Sequence, residues 1–406
     1  MQISEHKINW LNVILAQMDS SSTTVEILAK AGSINENKQN NWISHFLEHM
    51  FFKWGKKYKT PLEVSQAIDE IWGSFNAFTG YEYAGYYVKT APNFVNKSID
   101  VLSDMLVNGQ FPENEIEKEK WVVIQELKMI EDNPARLAYY KFNEFYYWDN
   151  SYGWPIIWTE KNILGFTRQD LINYKNSLYT KDNLVIVVAG KITNPHDVLQ
   201  QIWEKFWNLP EKRAIPEPKF SGITLEKEGF FKKDTQQNHL LVWIPWINVK
   251  SDKKYVFDVL ATILWWNMSS VLVQEIREKL GLAYYISASH YAKSQDGVFL
   301  IRAGLDKKNF EKWKKKIAEI LDKFTLWNIS KDKFEKAKSY LIWSLQIGLE
   351  TSDEVADFVV FNKLFKGKIF SIDELIENVE KVTYDDVVSL AKEFLGKDKR
   401  KWFWVE

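Results

Sequence analysis

The chain has 406 residues, 46% of them hydrophobic, and at roughly 100–200 residues per domain two domains are expected rather than one. Lys+Arg 53 against Asp+Glu 54 leaves a net charge of −1, which speaks against nucleic acid as a partner. There is no cysteine, so disulfides and thiolate metal sites are excluded and any transition metal must be held by His, Asp or Glu.

The N-terminal stretch MQISEHKINWLNVILAQM lacks the basic region, apolar run and small-residue cleavage site of a secretory signal. No stretch approaches the ~18 uncharged apolar residues of a membrane span. The expectation is a cytoplasmic protein without a membrane segment.

In chain order, residues 8–16 and 24–31 alternate apolar and polar residues as strands do. Residues 41–53 and 61–72 carry helical spacing, and GSFNAFTGYEYAGYYVKTAP turns β-rich before Pro92 ends it. Helical spacing returns over 94–108 and 113–133, the second closed by Asn133-Pro134. LVIVVAG at 184–190 reads as a buried strand. LPEKRAIPEPKF at 209–220, with three prolines, reads as a linker. Beyond it the order recurs: strand 239–244, helix 255–279, a β-rich segment 283–304, helices 308–325 and 331–347, and a closing strand 401–405. This faint duplication predicts an α+β fold of two homologous domains, each a mainly antiparallel sheet packed with helices. The boundaries expected are 1–208 for the first domain, 209–220 for the linker and 221–406 for the second.

The chemistry concentrates in NWISHFLEHMFFKW, residues 41–54. On a helix His45 and His49 stand at i and i+4, so both imidazoles leave one face and can share a Zn²⁺ at ~2.0–2.1 Å. Glu48 leaves the same side and is placed to act as general base on a metal-activated water. His-x-x-Glu-His is the inverted order of a metallopeptidase signature. The apolar neighbours Ile43, Phe46, Leu47, Met50, Phe51 and Phe52 argue for a packed helix rather than a solvated one. A third ligand must come from elsewhere, and EIEKEKWVVIQELKMIEDNP offers Glu119 and Glu126, two turns apart on one face. Glu126 lies among Val122, Val123, Ile124 and Leu127, where a carboxylate is costly unless paired or metal-bound. His6, His196, His239 and His290 show no ligand spacing.

With these residues together, the sequence resembles the pitrilysin, insulinase and mitochondrial-processing-peptidase family of zinc metallopeptidases. SHFLEHMFFK, NAFTGYEY, ELKMIEDNP, LVIVVAGKI, SSVLVQEIREKLGLAYY and SLQIGLETSDEVA carry the likeness in order along essentially the whole chain. The resemblance implies a zinc endopeptidase with one Zn²⁺ per chain, held by His45, His49 and Glu126, with Glu119 behind the metal shell. It makes Asn76, Ala77, Phe78 and Thr79 part of an edge strand on which a peptide adds, although the same letters suit an ordinary core strand. It makes Arg277 and Tyr284 a pair that holds substrate and donates to the oxyanion. It further implies a homodimer, or a heterodimer, closing around a chamber that admits peptides or unfolded protein. The alternatives are a non-catalytic, peptide-binding partner subunit and a processing peptidase for specific precursors.

One departure is patterned. Tryptophan outnumbers glycine 19 to 17, and glycine falls short of its usual ~7%. Where similar proteins have glycine this chain has Trp10, Trp42, Trp54, Trp72, Trp158, Trp243, Trp246, Trp265, Trp266 and Trp343. The expectation is a gene in which UGA specifies glycine, written out with tryptophan at those codons.

Overall fold

The computed structural model describes residues 1–148, 150–154, 160–220, 222–265, 270–278, 283–325 and 329–406, with backbone alone at 277, 278, 283, 284, 324 and 325. Two compact units emerge, and neither is one continuous stretch of chain. The first comprises Met1–Lys128, Trp154–Lys219 and Gly348–Ile369; the second comprises Met129–Gly153, Phe220–Ile347 and Phe370–Glu406.

Each unit is built on one sheet. In the first, β1 (Gln2–Ile8), β2 (Leu11–Gln17), β3 (Thr23–Ala29), β4 (Ser74–Thr79), β5 (Ala84–Thr90) and β6 (Leu184–Gly190) lie in the order β1-β2-β6-β3-β5-β4. In the second, β7 (Glu228–Phe231), β8 (Asn238–Pro245), β9 (Ala283–Ala292), β10 (Gly297–Leu305) and β11 (Lys401–Val405) lie in the order β7-β11-β8-β10-β9. The winding is the same in both. The last strand of each half slots between the earlier ones, parallel to one neighbour and antiparallel to the other: β6 between β2 and β3, β11 between β7 and β8. The remaining pairs are antiparallel. This is the duplicated α+β architecture expected from the sequence.

LVIVVAG is apolar throughout because β6 is central and covered on both faces, and all seven of its residues are buried. One face of the first sheet, with Ile14, Leu28, Val187 and Ala189, packs on Val355, Val359 and Val360 of the helix Ser352–Phe361. Each of the Val, Leu and Ile side chains contributes roughly 1.5–3 kcal/mol on full burial. In the second unit, Phe142 and Tyr146 pack against Trp243 of β8, with ring centroids 4.8 and 5.4 Å apart.

Five helices of the N-terminal part are α1 (Ile43–Phe51), α2 (Pro61–Asp69), α3 (Val95–Asn108), α4 (Glu113–Glu131) and α5 (Pro134–Tyr147), of which α1 and α4 carry the site residues. Asn133 ends the α4 region and caps α5, its side chain accepting from the Arg136 N–H at 3.1 Å, with Pro134 at the first helical position.

Two expected elements change shape, and three helices are added. The strand expected over 8–16 is the end of β1, a two-residue turn at Asn9–Trp10 and β2. The helix expected over 255–279 is a helix Lys254–Trp265 and a separate π-helical segment Val273–Glu278. Helices at Ser352–Phe361, Ile372–Glu380 and Tyr384–Phe394 lie where no element was expected. Among the described residues no helix is long and apolar enough to cross a membrane.

Candidate metal centre

Helix α1 is fixed at its start by Glu36, a residue that the sequence reading passed over. Its carboxylate accepts from the backbone N–H groups of Trp42 and Ser44 and from the Asn41 side chain, each at 2.9 Å. A carboxylate there satisfies orphan donors of the first turn and faces the positive end of the helix dipole. Along the helix, Ile43, Phe46, Leu47, Met50 and Phe51 are buried. Phe51 meets the rings of Tyr179, Tyr86 and Phe111 at 5.0, 5.4 and 5.7 Å. That packing sets the rotation of α1 and turns His45, Glu48 and His49 to the partly open face.

On this face the ligand atoms converge. His45 Nε2 lies 3.1 Å from Glu126 Oε2, His49 Nε2 lies 3.6 Å from the same oxygen, and the two Nε2 atoms are 3.2 Å apart. Donors on a tetrahedral ion at ~2.0–2.1 Å stand roughly 3.3 Å from one another. The trio fits. Among the described residues these three form the group able to hold a metal ion.

The charges point the same way. Burial pushes the His45 imidazole down, but hydrogen bonds with the Glu126 and Glu48 carboxylates overcome it and hold its pKa up at about 9. The two imidazoles in turn hold Glu126 well below the usual carboxylate range. Surroundings that favour positive charge on His45 and negative charge on Glu126 also suit a divalent cation, whose binding would release the imidazole protons.

Glu119, two turns before Glu126 on α4, stands behind His49. Its Oε1 is 2.7 Å from His49 Nδ1 and its Oε2 is 2.7 Å from Lys53 Nζ. Glu119 is 3% exposed, and although burial raises its pKa, the His49 and Lys53 partners bring it below the ordinary value. A carboxylate accepting from Nδ1–H fixes the tautomer and leaves Nε2 free to ligate. Glu48 lies beside the trio without joining it: its Oε2 is 3.5 Å from His45 Nδ1 and accepts from Thr79 Oγ1 at 2.5 Å.

Thr79 closes β4, the edge strand of the first sheet, and Asn76, Ala77 and Phe78 lead up to it, with none of the four buried. Arg277 falls in the segment Val273–Glu278 and Tyr284 in β9; their side chains lie outside the described residues. The remaining histidines are spread over other places. His6 bonds Ser4, His239 bonds Tyr285, His290 lies 3.4 Å from Asp258, and His196 is exposed.

Residues 12–160 match the insulinase domain of peptidase family M16, and residues 165–341 match a domain described as the M16 inactive domain. The chain belongs to the M16 peptidase family. An M16 relative from Bacillus subtilis, named an uncharacterized zinc protease, is 33% identical over 93% of this chain and 91% of its own length. A second, from Rickettsia felis and also named an uncharacterized zinc protease, is 32% identical over 96% of this chain and 93% of its own. The crystal structure of a protease from Helicobacter pylori superposes with a TM-score of 0.92 at 22% identity, covering 100% of this chain and 99% of that one. An M16 inactive domain from Pseudomonas fluorescens superposes with a TM-score of 0.90 at 15% identity over 100% of this chain and 98% of that one. Those two superpositions speak to the M16 fold.

Proposed function

We propose that this M16 member is a zinc-dependent endopeptidase that cuts extended or unfolded peptide segments, with Glu48 as its general base. The observation that carries the reading is the arrangement on one face of α1. Three ligand atoms converge there, and a carboxylate outside the trio stands beside them.

Zinc bound by His45, His49 and Glu126 would supply Lewis-acid polarisation of a water and of the peptide carbonyl. Glu48 takes a proton from the attacking water as the new C–O bond forms, and returns it to the amine nitrogen as the C–N bond breaks. Thr79 holds Glu48 in place by donating to Oε2. Glu119 keeps the His49 proton on Nδ1. The edge strand β4 supports the choice of substrate. Among the described residues its outer side pairs with no strand and offers backbone groups to any extended peptide, and its last residue touches Glu48, so a strand added there runs into the ligand face.

The test is digestion of a mixture of unstructured peptides by the purified, zinc-loaded protein. Cleavage within the peptides that stops with a chelator and returns with added zinc is the expected result. Absence of cleavage by zinc-loaded, folded protein would leave the non-catalytic peptide-binding reading standing instead. Sequencing the products separates broad degradation from the trimming of specific precursors.

A further inference from the structure

Six described residues other than glycine have a positive φ: Asn9, Trp10, Trp42, Trp72, Phe111 and Trp148. Tryptophan supplies 19 of 406 residues but four of these six. A bulky side chain in that region is an outlier, because Cβ crowds the backbone. What matters is where the four stand.

Trp10, with φ 73°, follows Asn9, with φ 47°, in the two-residue loop between β1 and β2, where Ile8 pairs with Leu11. Positive φ at both loop positions is the type I′ hairpin turn, whose favoured pair is Asn-Gly. Trp42 has φ 82° and ψ −4°, and the Ile43 N–H bonds the Asn40 carbonyl at 3.1 Å. Those angles are the third position of a type II turn, which calls for glycine. Trp72 has φ 50° just past α2. Its N–H reaches Asp69 O at 2.9 Å, and the Gly73 N–H reaches Ile68 O at 3.0 Å. This pair of bonds is the Schellman ending, with Trp72 at the left-handed position that glycine usually fills. Trp148 has φ 46° and ψ −115°, and the Asn150 N–H bonds Tyr147 O at 3.0 Å across it. Those angles mirror the second position of a type II turn, the glycine position of type II′.

Four turns of four kinds thus place tryptophan at their glycine position. At Trp42 the side chain is also ill-suited: it is 2% exposed, and its indole Nε1 is buried without an acceptor. We infer that the synthesised protein carries glycine at positions 10, 42, 72 and 148, the shared codon being UGA read as glycine. The inference does not depend on the peptidase reading. It also reaches beyond comparison with similar proteins, because Trp148 is not among the ten positions that comparison marks. At position 42 it removes a ring whose centroid lies 5.2 Å from that of His45, so the space beside a metal-binding imidazole is larger than the written sequence implies.

Tandem mass spectrometry of the protein purified from its source cells decides the matter. The expected result is glycine at 10, 42, 72 and 148, with tryptophan at 121, 203 and 207, which neither a left-handed backbone nor the likeness to similar proteins marks for glycine. Tryptophan at any of the four, or glycine at any of the three controls, overturns the backbone criterion. A second measurement uses the full recombinant chain. The W10G/W42G/W72G/W148G variant should melt higher than the chain as written, whereas W203G/W207G should not. A quadruple variant that melts at or below the written chain would also overturn the inference.

Discussion

Changing Glu119 tests the reasoning about the metal centre at a residue that does not touch the metal position. The carboxylate is buried, with one oxygen 2.7 Å from His49 Nδ1 and the other 2.7 Å from Lys53 Nζ. Removing such a partner of a ligating histidine commonly lowers metal affinity ~10–100-fold, or about 1.4–2.8 kcal/mol. Glu119→Gln keeps an oxygen that can accept from Nδ1–H but loses the charge, so the lower end, about 10-fold, is expected. Glu119→Ala also frees the ring to rotate and to exchange tautomers, so the upper end, about 100-fold, is expected. Zinc affinity is read by competition with a chromophoric chelator, and circular dichroism checks that the fold survives. An Ala variant that is folded and binds zinc within twofold of the parent would refute the role given to Glu119.

Other perturbations follow from the same contacts. Thr79→Val removes the donor to Glu48; hydrogen bonds to charged groups contribute ~1.5–3 kcal/mol, so kcat should fall about 10-fold or more while zinc content, measured by atomic absorption, stays the same. Glu126→Ala takes one of three ligand atoms away, and zinc stoichiometry after dialysis should drop well below one per chain. Lys53→Met leaves the Glu119 charge without its second partner, so zinc affinity should weaken and should fall faster on acidification than in the parent. A separate prediction concerns stability. Burial, and then the charge of nearby Asp357, lift Glu26 from its ordinary 4.5 to about 10. The folded chain therefore keeps a proton that the unfolded chain releases, and stability should fall as pH rises from about 5 towards about 10, by up to ~1.4 kcal/mol per unit. Glu26→Gln, which imitates the protonated acid, should flatten that slope in thermal melts; an unchanged slope would contradict the assignment.

Much of the site could be read from the letters because its geometry is local or periodic. The i, i+4 spacing of His45 and His49 and the helical pattern of α1 need no tertiary information. Glu126 drew notice as a carboxylate among apolar neighbours, and Glu119 because it stands seven residues earlier on the same helix. Glu36 escaped notice because it acts from outside the helix it caps, and nothing in its neighbourhood sets it apart from any surface glutamate. The Thr79–Glu48 bond joins an edge strand to a helix more than thirty residues away in sequence, and alternation along a strand says which face a residue takes, not what meets it.

The fold divides in the same way. β6 was legible because a wholly apolar seven-residue run suits a strand covered on both faces. β1 and its turn were not, since Asn-Trp carries no hairpin signal where Asn-Gly would carry a strong one. The helix Ser352–Phe361 belongs with the first sheet although it comes late in the chain, and α5 belongs with the second although it comes early. An amphipathic pattern says that a face is buried and is silent about which sheet buries it.

The most direct measurement is made on Glu48→Gln, with zinc content and peptide cleavage determined on the same sample. His45, His49 and Glu126 are untouched by the change, so about one zinc per chain should remain while cleavage falls by several orders of magnitude. A zinc-loaded variant that still cuts peptides at the parent's rate would contradict the placement of Glu48 as the base.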